Sequence, residues 1–407
     1  MNNILIVGGN FDNTRRPSSL VTKLYDNIAL YCDHNRDKID INEIKCKNGG
    51  TFEELEAIAG NKNPNYDLNK FNIVFWFPNI EDNNLPKLRD LKSINPKIML
   101  INSKRNDNNK YSFQEMIQRS LAVKANLTFE FSKNQNNYYN IRVFDPLGCI
   151  YADTASIAMA AKATLDRLAF IIKITRQPTT QASDDKNLIL KWYFDQFKQP
   201  EYQSDKNIQT PDEQKFIDIV KHYAHKFQEF MPHDCKTERF VGNASFKPTP
   251  RNGRCGKGMP SFKYFDEKSN REYIFVSKRN IDKQFIELDN FVPVYLEDNK
   301  LYYCGNDKPS VDTPVQVRLY KELPQIRYML HSHCYLEDAP YTFTAIPCGA
   351  IEEVDEVLKT IDTYYNNRNM EIYRLNMIGH GSIVMTSDLK YFENLKYKAR
   401  ILPEKVN

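Results

Sequence analysis

No apolar run in this chain approaches the roughly 18–20 residues that a membrane-spanning helix needs. The first residues, MNNILIVGG, place no basic region ahead of a long apolar stretch, so they do not read as a secretory signal. They read as a buried strand that begins at once. None of the eight cysteines (32, 46, 149, 235, 255, 304, 334 and 348) forms a CxxC pair, which removes the commonest zinc and redox motifs. Free thiols in a reducing cytoplasm are expected. Charge of one sign is also lacking: 56 basic and 52 acidic residues leave a net +4, so nucleic-acid binding is not indicated. There is no internal repeat. There is no GxGxxG: Gly8-Gly9-Asn10-Phe11-Asp12 follows the first strand, where such a turn can cradle an anion, but the spacing is not that of a dinucleotide site. Arg251–Gly258 is basic and glycine-rich without the strand–loop–helix frame of a P-loop, and reads as a loop.

What is present is an ordinary globular composition, 41% hydrophobic and 27% charged, over a length too great for one core. Two domains are expected. Through residue 175 short apolar runs alternate with segments of helical spacing. Asn3–Val7, Phe71–Phe77, Lys97–Asn102, Leu127–Phe131 and Tyr139–Phe144 read as strands. Ser18–Leu30, Ser112–Val123 and the alanine-rich Ala152–Ile172 read as helices. That alternation implies a Rossmann-like, mostly parallel α/β domain with helices on both faces of its sheet. Ser103–Asn106 and Asp145–Gly148 follow strands, at the end where open α/β sheets bind ligands. A nucleotide- or phosphate-binding role and a scaffold role both remain open for this domain. Residues 176–209 form a polar, proline-containing linker around an apolar stretch, Asn187–Phe197, that could be a bridging helix. Thr210-Pro211-Asp212-Glu213 then has the composition of a capping box. It opens a helix through Phe216, Ile219, Val220, Tyr223 and Phe227, and the second domain, residues 210–407.

Four segments stand in order along that second domain: Gly242-Asn243-Ala244-Ser245, Pro309-Ser310-Val311-Asp312-Thr313-Pro314, His331-Ser332-His333 and Ile378-Gly379-His380-Gly381. Residues two apart on a strand share a face, so His331 and His333 can reach one ion. His380 follows another strand-like run, Arg374–Ile378, and can supply a third nitrogen. Three imidazoles with an open fourth position suit a catalytic zinc site and not a structural one. An isolated HxH is a weak signal; three of only seven histidines falling in this frame is a stronger one. His222 and His225, one turn apart on a lysine-rich helix, read as surface residues, and Cys334 and Cys348 as buried thiols.

The ordered set of GNAS, PSVDTP, HSH, Ile346-Pro347-Cys348 and the late His-Gly resembles the class II aldolase/adducin family over about residues 212–395. Asp312, where the fuculose-phosphate aldolases carry Glu, brings it nearer to the ribulose-phosphate 4-epimerases. The resemblance implies an α/β/α domain with an antiparallel sheet, Zn²⁺ (or another divalent metal) on His331, His333 and His380, and Asp312 on or beside the metal. It places the substrate phosphate on Gly242, Asn243 and Ser310. The chain departs from the family in three places. Val276-Ser277-Lys278-Arg279-Asn280 replaces the usual TPSG loop, losing its glycine and offering Lys278 as a phosphate contact. The stretch between His333 and Pro347 is short, leaving Glu337, Asp338 and Tyr341 as local acid/base candidates, of which Asp338 and Tyr341 are carried forward. The chain also ends 27 residues after His380, without the segment that supplies a catalytic tyrosine in the epimerases. The resulting expectation is a cytoplasmic, homo-oligomeric (tetrameric in the family) zinc-dependent lyase or epimerase. It would act on a phosphorylated sugar by a retro-aldol, enediolate mechanism; a dehydratase shares the metal frame. The rival expectation is a non-catalytic, adducin-like interaction or oligomerisation module joined to a nucleotide- or phosphate-binding N-terminal domain.

Overall fold

The computed structural model describes residues 2–34, 41–71, 73–79, 85–95, 98–133, 139–146, 148–173, 181–182, 212–230, 242–247, 265–266, 271–297, 300–303, 307–346 and 349–399. Most of the linker, the Thr210-Pro211 part of the capping box, Arg251–Gly258, Leu147, and the Pro347-Cys348 pair lie outside them. The described residues divide into two compact units, 2–173 and 181–399.

The first unit runs β1 (Asn2–Asn10), α1 (Ser19–His34), β2 (Ile41–Asn48), α2 (Phe52–Ala59), β3 (Ile73–Asn79), α3 (Leu85–Ile94), β4 (Ile98–Arg105), α4 (Phe113–Ala122), β5 (Leu127–Lys133), β6 (Tyr139–Phe144), β7 (Ile150–Thr154) and α5 (Ile157–Lys173). Its strands lie in the order 2-1-3-4-5-6-7. The first five are parallel and the last two antiparallel. The sheet is therefore mostly parallel, as expected. Its order is the 2-1-3-4-5 doubly wound one, and not the 3-2-1-4-5-6 order that a Rossmann-like reading implies. Alternation along β1 sends Ile4 and Ile6 to a core with α1 and α5, and Leu5 and Val7 to a core with α2 and α3. One helix boundary needs correction. The helix placed from Ala152 begins at Ile157, because Ile150–Thr154 pairs with β6 instead and Ser156 accepts a bond from the Met159 amide. The start of α1 is bound from outside: the Ser18 amide donates to Asn48 Oδ1 at 2.9 Å.

The second unit comprises β8 (Gln181–Ala182), α6 (Asp212–Phe227), β9 (Asn243–Phe246), β10 (Phe265–Asp266), β11 (Arg271–Glu272), β12 (Ile274–Ser277), β13 (Phe291–Glu297), β14 (Lys300–Tyr303), α7 (Thr313–Glu322), β15 (Tyr328–Ser332), β16 (Tyr335–Leu336), α8 (Glu353–Tyr364), β17 (Ile372–Met377), β18 (Gly381–Thr386) and β19 (Tyr397–Lys398). Its main sheet has the order 17-18-15-9-12-13-14-8 and is antiparallel except where β14 meets β8. On α6, Phe216, Ile217, Val220, Tyr223 and Phe227 recur at helical spacing and cover one face of the sheet. Each such buried side chain contributes about 1.5–3 kcal/mol. Residues of α7 and α8 cover the other face, giving three layers. The sheet sorts its side chains accordingly. Tyr328 and Leu330 of β15 pack towards α6, and Met329 packs towards α7 and α8. His331, two residues after Met329, points the same way as Met329. Both α7 and α8 start beside that end of β15.

Candidate metal centre

His331 is the fourth residue of β15 and is only 2% exposed. His333 follows the strand and is half-buried. His380 occupies the turn between β17 and β18, where the Gly379 amide donates to Tyr335 Oη at 2.9 Å and the His380 amide to the Met377 carbonyl at 2.9 Å. The three rings cluster, with centroids 4.5 Å apart for His331–His380, 5.1 Å for His331–His333 and 5.2 Å for His333–His380. One nitrogen from each lies within 4.8 Å of the others, a spacing that allows all three to hold one ion. Strand pairing makes this possible. β15 pairs with β18, Ser332 opposite Ser382, and with β9, His331 opposite Asn243. Two glycines admit the backbones. Gly242 (φ +103°) would bring a Cβ to 2.6 Å from the His331 carbonyl oxygen, and Gly381 (φ +145°) to 1.9 Å from that of Ser332.

The hydrogen bonds fix which nitrogen faces the centre. His331 Nδ1 lies 2.9 Å from the Ser382 carbonyl oxygen, an acceptor, so Nδ1 carries the proton. His380 Nδ1 lies 2.7 Å from Glu353 Oε1, and the same reasoning applies. The Nε2 atoms therefore point inwards. Asp312, at the start of α7, sets Oδ2 3.8 Å from His331 Nε2 and Oδ1 3.9 Å from His380 Nε2. Those separations are too long for hydrogen bonds. His331 Nε2 is buried and makes no hydrogen bond among the described residues. Burial first, and the neighbouring His380 second, push the His331 imidazole down to about 3, so it is neutral across the physiological range. Imidazole nitrogens gathered about a buried carboxylate form a donor set that a divalent cation fits. Glu353, the first residue of α8, is 2% exposed. Burial raises its carboxyl, while His380 pulls it back. The carboxylate–histidine pair is the arrangement that orients metal-binding imidazoles.

The other expected site residues fall as follows. Asn243 is 1% exposed and donates from Nδ2 to Asp312 Oδ2 at 2.8 Å. Ser310 is half-buried, and its backbone binds the Ser277 and Thr313 backbones. Lys278 reaches Asp307 at 2.9 Å. In the loop Lys278–Asn280, Asn280 adopts φ +59°, which asparagine tolerates better than most residues. Asp338 is exposed. Tyr341 packs on Tyr335 at 5.1 Å and bridges to Asn376. Neither is in the donor set formed by Asp312, Glu353 and the histidines. His222 and His225 are exposed on α6, as expected.

Sequence reasoning missed Glu353, Gln316 and Lys283. Glu353 is masked by its neighbours, since Glu352, Asp355 and Glu356 make an ordinary acidic first turn. Gln316 lies four residues after Asp312, a spacing that alone could have placed it on the same helix face. Lys283 is 7% exposed although it looks like any other basic residue in the sequence. Burial brings its ammonium down to about 8, opposed first by the charge of Asp312 and then by that of Asp282. It also disfavours a proton on His331.

Residues 231–358 match the family model described as Class II Aldolase and Adducin N-terminal domain. The resemblance carried by the sequence motifs therefore holds for this part of the chain. No curated protein matches the chain. Among solved structures, it is similar to a sugar-phosphate aldolase from Thermotoga maritima at 13% identity, over 43% of this chain and 88% of that one, with a TM-score of 0.29. It is also similar to an L-fuculose 1-phosphate aldolase at 15% identity, over 46% and 80%, with a TM-score of 0.27. A DNA/pantothenate metabolism flavoprotein from Streptococcus pneumoniae is similar at 9% identity, over 42% and 99%, with a TM-score of 0.29.

Proposed function

We propose that the second unit is a zinc-dependent lyase or epimerase that acts on a phosphorylated sugar through an enediolate. The observation that carries this reading is the donor set. His331 and His380 turn their Nε2 atoms towards each other and towards the Asp312 carboxylate, with His333 alongside. A divalent ion held there would polarise a ketose carbonyl and stabilise the negative charge that develops when the adjacent C–C bond breaks. Asp312 sits at the inner edge of the donor set, where a carboxylate can take or return the substrate proton. Lys283 supplies positive charge beside Asp312, which favours an anionic substrate. Ser310 and the Gly242 backbone border the same region and are the proposed phosphate contacts, with Lys278 at the rim. Asp338 and Tyr341 are the proposed local candidates for proton transfer to the leaving fragment. The same reading makes the protein a homo-oligomer in the cytoplasm, which sedimentation velocity and fractionation test.

The functional test is incubation of zinc-loaded protein with a panel of ketose phosphates, following both aldehyde release and epimer formation. Turnover that disappears in His331→Ala supports the reading. A fully metal-loaded protein that consumes none of them contradicts it and favours an interaction module.

A further inference from the structure

Family resemblance assigns Asn243 to the substrate phosphate, yet both ends of its side chain are already engaged in the structure. Nδ2 donates to Asp312 Oδ2 at 2.8 Å, and Oδ1 accepts from Gln316 Nε2. The direction of this chain is fixed by chemistry. A carboxylate can only accept, so the amide nitrogen of Asn243 must face Asp312. Its carbonyl oxygen then faces Gln316, whose amide must donate. Gln316 and Asp312 are four residues apart at the start of α7, and Asn243, at the start of β9, bridges them. Asn243 and Gln316 are each 1% exposed. Gln316 Oε1 is buried and makes no hydrogen bond among the described residues. The outcome is an Asp312 carboxylate held with Oδ2 towards His331 and Oδ1 towards His380.

We propose that Gln316 and Asn243 are positioning residues, a one-way hydrogen-bond relay that aims the Asp312 carboxylate at the histidine cluster. The proposal rests on the metal-centre reading above. It gives the Asn243 amide a role different from the phosphate contact that the resemblance suggested.

The test is a Co²⁺ titration of the full chain, read by affinity and by the d–d absorption spectrum, for wild type, Asn243→Ala and Gln316→Met. Gln316→Met keeps side-chain length and apolar packing while removing the donor, so a merely structural glutamine would leave both readouts unchanged. The relay predicts about tenfold weaker Co²⁺ binding or more for Asn243→Ala, a smaller loss for Gln316→Met, and an altered spectrum in both. Wild-type affinity and spectrum in both variants would overturn the relay while leaving the metal centre standing. Weaker binding of inorganic phosphate by Asn243→Ala with unchanged Co²⁺ behaviour would return Asn243 to the phosphate. A wild type that binds no Co²⁺ would refute the metal centre, and the relay with it.

Discussion

Replacing Gly381 by alanine should damage both the sheet and the metal centre, and the damage can be sized from the backbone. An alanine Cβ at this position would lie 1.9 Å from the Ser332 carbonyl oxygen, 2.7 Å from His333 Cα and 2.9 Å from the Ser332 carbonyl carbon. All three are main-chain atoms of β15 or its continuation, so no side-chain rotation relieves the clash. β18 would have to retreat by roughly 1 Å from a close-packed neighbour. The backbone angle, φ +145°, is also one that residues with a side chain rarely adopt. Strain of this kind costs about 1–3 kcal/mol, and overpacking adds about 1–3 kcal/mol. A loss of about 2–6 kcal/mol is a large share of the roughly 5–15 kcal/mol that stabilises a domain. The retreat would also carry His380, the preceding residue, away from His331. Urea denaturation measures the first effect and zinc stoichiometry the second. Gly60→Ala is the control, because φ is −77° there and the nearest atom to the new Cβ is 3.4 Å away. A Gly381→Ala protein within about 0.5 kcal/mol of wild type and retaining its metal would refute the reasoning.

Three further outcomes follow from the same geometry. His331 titrates near 3 when folded, against 6.5 when free, so between those values the unfolded chain takes up a proton that the folded chain refuses. Stability of the metal-free protein should therefore fall as pH drops from about 6.5 towards 3, by up to about 1.4 kcal/mol per pH unit from this group. His331→Gln should flatten that slope in denaturation midpoints taken across the range, and an identical slope in the variant would contradict the assignment. Glu353→Gln should weaken zinc affinity about 10–100-fold in a chelator competition, because the His380 Nδ1 proton loses its charged acceptor; unchanged affinity would show that Glu353 does not orient His380. Asn280→Ala should cost about 1–2 kcal/mol at φ +59°, whereas Asn280→Gly should be nearly neutral, as equilibrium unfolding would show.

The legible parts of this molecule are those where one residue pattern admits one structure. The unbroken apolar runs of β1, β3 and β4 announce a buried sheet, and His331-Ser332-His333 ending such a run announces two histidines that can meet a third. β2 was not legible, because Ile41–Asn48 mixes lysine, glutamate and asparagine into an edge strand that its pairing with β1 and the packing of Ile44 and Cys46 on the core hold in place. β7 was hidden by alanine and by continuity with the helix after it. The strand order was hidden as well, since periodicity reports elements and not their neighbours. Within the site the clustered histidines showed in the sequence and the residues around them did not. Glu353 and Lys283 acquire meaning only from burial beside Asp312 and His380, and in sequence they are indistinguishable from solvated charges. The segment Val276–Asn280 lacks the glycine of the family's loop, and only the backbone shows that Asn280 takes a positive φ there.

The central claim is that His331, His333 and His380 hold a divalent ion, and metal content tests it most directly. Purified protein expressed with added zinc, measured by plasma mass spectrometry beside a His331→Ala/His333→Ala double variant, should carry about one divalent ion per chain, and the folded variant should carry none. A wild-type protein without metal, or a double variant that keeps the full amount, would contradict the account.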